Sequence, residues 1–151
     1  FGVDGALVVD VPPEESHDLV VALRDAGVDL VYLLAPTSTE DRIRKIAAAA
    51  SGYVYYVAVK GVSGAGHLDT EAVSAKVAEI RRLIDLPVGV GFGIKDPETA
   101  ARVAVAADAV IVGSAVVGRM EALRETPERI EESVAGFLAE LRRGIDGAGA
   151  R

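Results

Sequence analysis

At 151 residues, half of them hydrophobic, the chain is long enough for one domain with a continuous core. Its net charge of −7 argues against a nucleic-acid surface, because phosphate contacts need clustered Lys and Arg. Lack of cysteine excludes disulfides and thiolate–metal sites, and no apolar run approaches the roughly 18 residues of a membrane span. Ala and Val dominate the apolar residues, which suits a buried parallel sheet covered by helices. Acidic residues spread over many helices read as a solvated surface. Phe1 opens without an initiator Met, a basic n-region or a cleavage site, so there is no targeting peptide to read, while the lack of cysteine fits the cytoplasmic location that is expected.

Gly5-Ala-Leu-Val-Val9 is an apolar run of strand length between Asp4 and Asp10. Asp10-Val-Pro-Pro13 forces a turn, and Glu14 to Ala26 has helical periodicity ending at Gly27, a C-cap signal. Leu30 to Leu34 is the second strand. Thr39 then caps a helix running to about Ala50. Tyr53 to Ala58 is the third strand, followed by the longest irregular segment, Val59 to Asp69, with Gly61, Gly64 and Gly66. Glu71 to Ile84 is helical, and Asp85-Leu-Pro87 leads into a fourth strand at Val88. Asp96 caps a helix with Pro97 at its first position, reaching about Ala106. Strand five is Ala109 to Val112. A short helix after Gly113-Ser114 and a long one from Pro127 to about Arg143 follow, and the Gly-Ala tail is expected to fray.

Strand and helix alternate roughly every 25 residues, the signature of right-handed βαβ units. Equal spacing also fits a doubly wound open sheet, although the first strand–helix turn has no G-x-G-x-x-G fingerprint. Two consecutive strand ends carry glycine turns into helices, Gly91-Phe-Gly93 and Gly113-Ser114. Such turns aim backbone N–H groups at an anion and resemble the phosphate cup after the last two strands of a (β/α)₈ barrel. The expected fold class is therefore α/β, of the (β/α)₈ TIM barrel family. It is expected as a single partial-barrel domain, residues 1–151, of about five parallel β/α units. Active-site groups then lie at the carboxyl ends of strands, where Gly64, Gly93, Gly113 and Ser114 offer amides to one anion without Arg or Lys. Tyr55 is either a core tyrosine or an active-site phenol. Asp10 is a turn cap or a polar contact, and Ser63 has no base beside it. His17 and His67 lack metal-ligand spacing, so no metal site is expected.

The ordered set Asp10-Val-Pro12, Ala35-Pro-Thr-Ser38, Gly52-Tyr-Val-Tyr55, Gly61-Val-Ser-Gly64, Gly89-Val-Gly-Phe-Gly-Ile94 and Val112-Gly-Ser114 resembles the tryptophan synthase alpha subunit over essentially the whole chain. The resemblance implies a barrel enzyme, a lyase of tryptophan biosynthesis. It cleaves indole-3-glycerol phosphate to indole and glyceraldehyde 3-phosphate, with no cofactor of its own. Its partner is a beta subunit in an alpha2beta2 heterotetramer, and pyridoxal phosphate belongs to that beta subunit. By position, Gly64, Gly93, Gly113 and Ser114 would hold the substrate phosphate and Tyr55 would line the active site in a supporting role. Leu7, Leu34 and Phe92 would wall the indole pocket, and Ser63 would be the lid hydroxyl where the family usually has Thr. Asp10 to Pro12 and Pro36 to Ser38 would face the beta subunit, with Val59 to Asp69 as the lid. The family's acid–base pair, a Glu on the second strand and an Asp in the loop after it, has no counterpart, because the chain resembles strands four to eight. The segment alone is thus expected to hold phosphate without turnover. Another sugar-phosphate barrel, or a non-catalytic half-barrel that self-associates through open strand edges, are the competing readings.

Overall fold

A computed structural model describes residues 2–9, 12–58, 69–91 and 93–149. The apolar runs form strands β1 (Gly5–Leu7), β2 (Asp29–Leu34), β3 (Val54–Val57), β4 (Val88–Gly91) and β5 (Ala109–Ile111). Between and after them stand helices α1 (His17–Asp25), α2 (Glu40–Ala49), α3 (Thr70–Arg81), α4 (Pro97–Ala104), α5 (Ser114–Ala122) and α6 (Ile130–Gly149). All four strand pairings are parallel and the order across the sheet is β1-β2-β3-β4-β5. A doubly wound sheet reverses direction at a switch point, whereas here every strand lies beside its sequence neighbour. The sheet is therefore a half-barrel with β1 and β5 at its open edges, and the doubly wound alternative falls.

Register assigns the two faces. Tyr32 is paired with Val54 and Leu34 with Tyr56, while Tyr56 is paired with Val90. Side chains alternate along a strand, so Leu30, Tyr32, Leu34, Val54, Tyr56, Val88 and Val90 share one face. That face meets Ile43, Ile46, Val73, Val77, Ile80, Val103, Phe137 and Leu141 of the helices in a single buried cluster. Leu33, Tyr55, Gly89 and Ala109 pair along the other face. No helix of the described residues is long and apolar enough to cross a membrane.

Helix starts follow local chemistry. Thr39 accepts from the amide of Arg42, Asp69 from those of Glu71 and Ala72, and Asp96 from that of Thr99. Three expectations need correction. The helix expected from Glu14 to Ala26 breaks into a 3-10 turn at Pro13–Glu15 and α1. At the break, the hydroxyl of buried Ser16 donates to the Pro13 carbonyl (2.9 Å) and lies 2.5 Å from the Tyr32 phenol. The first strand ends at Leu7 rather than Val9, since β1 is paired on one side only and its ladder with β2 stops at Leu7–Val31. The Gly-Ala tail does not fray at Arg143, because α6 continues to Gly149. Gly144 makes this possible: a Cβ there would stand 2.7 Å from the Pro97 carbonyl oxygen, so only glycine lets α6 lie this close to α4.

Candidate functional site

The glycines that first suggested a phosphate cup divide into two kinds. Those within β4 make room for aromatic rings. A Cβ on Gly91 would lie 2.5 Å from the Tyr55 hydroxyl and 2.8 Å from the Ile111 carbonyl oxygen. Gly93 and Gly113, just beyond the strand ends, have open space where a Cβ would be. Gly93 also has φ +70°, a left-handed conformation that strongly favours glycine. Packing and ligand approach therefore use different members of the same stretch.

Beyond the strand ends lies a hollow of about 330 Å³ lined by Tyr55, Gly93, Ile94, Lys95, Ile111, Gly113, Ser114 and Ala115. Gly93, Gly113, Ser114 and Tyr55, distant in sequence, thus meet at one rim. Ser114 is the first residue of α5, and Gly113 caps that helix without a side-chain acceptor. The first amides of a helix have no intrahelical acceptor, and α5 points them toward the rim. Helices α2 and α4, by contrast, each have one first-turn amide bonded by a capping side chain, Thr39 and Asp96, and α3 has two bonded by Asp69, while α1 shares with α5 the lack of a side-chain cap. An anion at the hollow would supply acceptors that the fold itself leaves out.

Tyr55 and Ile111 both line the hollow. Burial pushes the Tyr55 phenol above the ordinary tyrosine value, and neighbouring Tyr53 adds to the rise. At neutral pH the phenol is thus uncharged, a hydrogen-bond donor that does not repel an anion.

Of the residues expected to wall an indole pocket, Leu7 and Leu34 fall on opposite faces. Leu7 pairs with Val31, which shares the inner face with Leu33 and Tyr55, and Leu7 is 45% exposed. Leu34 is 1% exposed within the helix-facing cluster, so its placement in the pocket is corrected and Leu33 takes the inner position. Counting by twos from Tyr55 across the register is the signal that finds Leu33. Phe92, Ser63, Gly64, Asp10 and His67 lie outside the described residues. His17 is exposed at the start of α1. Among the described residues no group of three His, Cys, Asp or Glu side chains could hold a metal. Sequence reading missed Lys95, which follows Gly93-Ile94 in the same strand–helix loop as the glycines.

The Ala35–Ser38 turn lies at the same end of the sheet. Its Ser38 hydroxyl accepts from the Ala35 amide (3.0 Å), and the Lys76 ammonium of α3 donates to the Ser38 carbonyl (2.8 Å).

Known proteins with this arrangement converge on one family. The tryptophan synthase alpha chain of Burkholderia mallei is 56% identical over 147 residues, 97% of this chain and 54% of the relative. That of Thioalkalivibrio sulfidiphilus is 58% identical over 145 residues, 96% of this chain and 54% of the relative. Tryptophan synthase subunit alpha from Legionella pneumophila superposes with a TM-score of 0.83 at 34% identity, covering 97% of this chain and 53% of that one. The tryptophan synthase a2b2 complex of Pyrococcus furiosus contains a chain matching at TM-score 0.78 and 30% identity, covering 93% and 56%. This chain therefore spans about half the length of the curated relatives it matches. Residues 1–145 match the family model described as tryptophan synthase alpha chain, and the chain belongs to that family.

Proposed function

We propose that this chain supplies the phosphate-holding half of a tryptophan synthase alpha lyase, which splits indole-3-glycerol phosphate into indole and glyceraldehyde 3-phosphate. The supporting observation is the single hollow that gathers Tyr55, Gly93, Gly113 and Ser114 below the uncapped start of α5. The amides of Gly93, Gly113 and Ser114 bind the phosphate, orient the glycerol chain and bring the indole ring over the inner face between Leu7, Leu33 and Tyr55. Bond cleavage needs an acid that protonates indole C3 and a base that takes the proton released as the aldehyde forms. No carboxylate among the described residues lines the hollow. Those two roles are assigned to the Glu and Asp of the family's second strand and following loop, outside the strands this chain matches. The segment by itself is then a binding unit without turnover. It works in the cytoplasm and docks a beta subunit through the Pro36–Ser38 turn, in keeping with the family's a2b2 complexes.

The test is indole release from indole-3-glycerol phosphate by the complete protein, with and without a beta subunit. Release stimulated by the beta subunit is expected. No indole in either condition would leave the phosphate cup to another sugar-phosphate barrel.

A further inference from the structure

The hollow at the strand ends is lined by one charged side chain among the described residues, Lys95. Its nearest carboxylate in sequence, Asp96, is already committed. One oxygen of Asp96 accepts from the Thr99 amide (2.8 Å) and the other from the Thr99 hydroxyl (2.9 Å). Lys95 has no ion-pair partner among the described residues, in contrast to Lys45 and Lys76, which pair with Glu14, Asp41 and Glu79. Lys95 is exposed and lines the hollow together with Gly93, on the same loop, and Ser114. A lysine stem has four flexible carbons and ends in a compact charge with three donors, so it can swing over an anion without a preformed pocket.

Charge makes this position consequential. The whole chain carries a net charge of −7, so a dianion approaching it is repelled at long range. Helix-start amides offer partial charges only. A full positive charge at the mouth offsets the repulsion and distinguishes a dianionic phosphate from a singly charged carboxylate of similar size.

We propose that Lys95 is a phosphate-contacting residue of this chain, its ammonium closing over a dianionic phosphate monoester whose other oxygens accept from the amides of Gly93, Gly113 and Ser114. The inference rests on the phosphate reading of the hollow and adds a charged ligand to what that reading assigns to backbone amides alone.

The test titrates inorganic phosphate into the 151-residue chain and follows the amide resonances of Gly93, Gly113 and Ser114. Wild type is compared with Lys95→Gln and Lys95→Arg. An exposed charge-assisted contact predicts roughly three- to tenfold weaker binding for Lys95→Gln at low ionic strength, with Lys95→Arg within about twofold of wild type. Raising salt from about 50 to 300 mM should weaken wild type far more than Lys95→Gln, so that their affinities converge. Resonances of the buried sheet residues, unchanged between variants, establish that each is folded. Equal phosphate affinity and equal salt dependence for wild type and Lys95→Gln would overturn the role of Lys95 while leaving the amide cup intact. Failure of wild type to shift any of the three amides would overturn the phosphate reading and the role of Lys95 together.

Discussion

The two faces of the sheet obey different rules. On the helix side, Val54, Val88 and Val90 are completely buried, and large side chains fill the space to the helices. On the inner side, β4 presents glycines, and Tyr53 and Tyr55 occupy the room those glycines leave. The outer face gains stability from every methylene it buries. The inner face forgoes that gain and keeps polar and open surface at the strand ends, where the hollow forms. Stability and binding are thus separated by parity along each strand, one residue apart.

The largest test of this division deletes a ring from the outer core. Phe137 of α6 is 3% exposed, and the Arg119 guanidinium stacks over it at 4.1 Å from the ring centre. Phe137→Ala should lower unfolding free energy by about 3–5 kcal/mol, read as a shift in urea midpoint. Leu7→Ala, on the inner face and 45% exposed, should cost less than about 1 kcal/mol in this chain. Comparable losses at the two sites would erase the distinction between the faces.

Next in size is the close approach at Gly91. An added methyl meets both the Tyr55 hydroxyl and the Ile111 backbone, and backbone cannot step aside as a flexible side chain would. Gly91→Ala should cost about 1–3 kcal/mol and displace Tyr55, visible as changed tyrosine fluorescence. At Gly93 the same methyl meets nothing, and only the φ of +70° penalises it, by about 1 kcal/mol.

A matched pair of hydroxyl deletions sharpens the contrast further. Tyr32→Phe removes the partner of buried Ser16, which keeps its bond to the Pro13 carbonyl, so a loss of about 1 kcal/mol is expected. Tyr55→Phe should change stability by less than about 0.5 kcal/mol, since its hydroxyl lies at the hollow rather than within the core. Denaturation curves of the two variants side by side decide the matter.

Much of this architecture is written locally. Strand–helix alternation, the caps at Thr39 and Asp96 and the stop at Gly27 each depend on a few neighbouring residues, and the structure follows them. Strand order could not be read from spacing, because sequential and doubly wound sheets share the same βα period; only the pairing of each strand with its sequence neighbour separates them. The choice between Leu33 and Leu34 was illegible for a related reason. An apolar run buried on both faces has no alternation, so parity emerges only when Tyr55 supplies a register. Gly144 illustrates the third limit: glycine near a chain end reads as fraying, yet here it is the contact that lets α6 lie against α4. Nothing beside Lys95 in sequence marks it as a ligand, because helix-start amides alone can hold an anion; only the net charge of the chain gives a lone cation at that loop a distinct role.

A pH-dependent effect concerns how the outer scaffold holds the inner rim. Asp96 caps α4 and thereby fixes the end of the loop that carries Gly93 and Lys95. The Thr99 amide holds its carboxyl below the ordinary aspartate range, with the Thr99 hydroxyl and the Arg102 and Lys95 charges adding to the effect against a penalty from partial burial. A folded-state pKa below the unfolded one contributes stability that is present above the unfolded value, near pH 4, and is lost as pH falls through the folded value. Asp96→Ala should cost about 1 kcal/mol at pH 7 through loss of the cap. Asp96→Asn keeps an accepting oxygen, so it should stay within a few tenths of a kcal/mol of wild type at pH 7. Both variants should lose less than wild type between pH 5 and the acid limit of folding, because the group that titrates is gone. Urea midpoints measured down that pH range provide the check, and an unchanged acid slope in both variants would show that Asp96 does not link the rim to the scaffold through its charge.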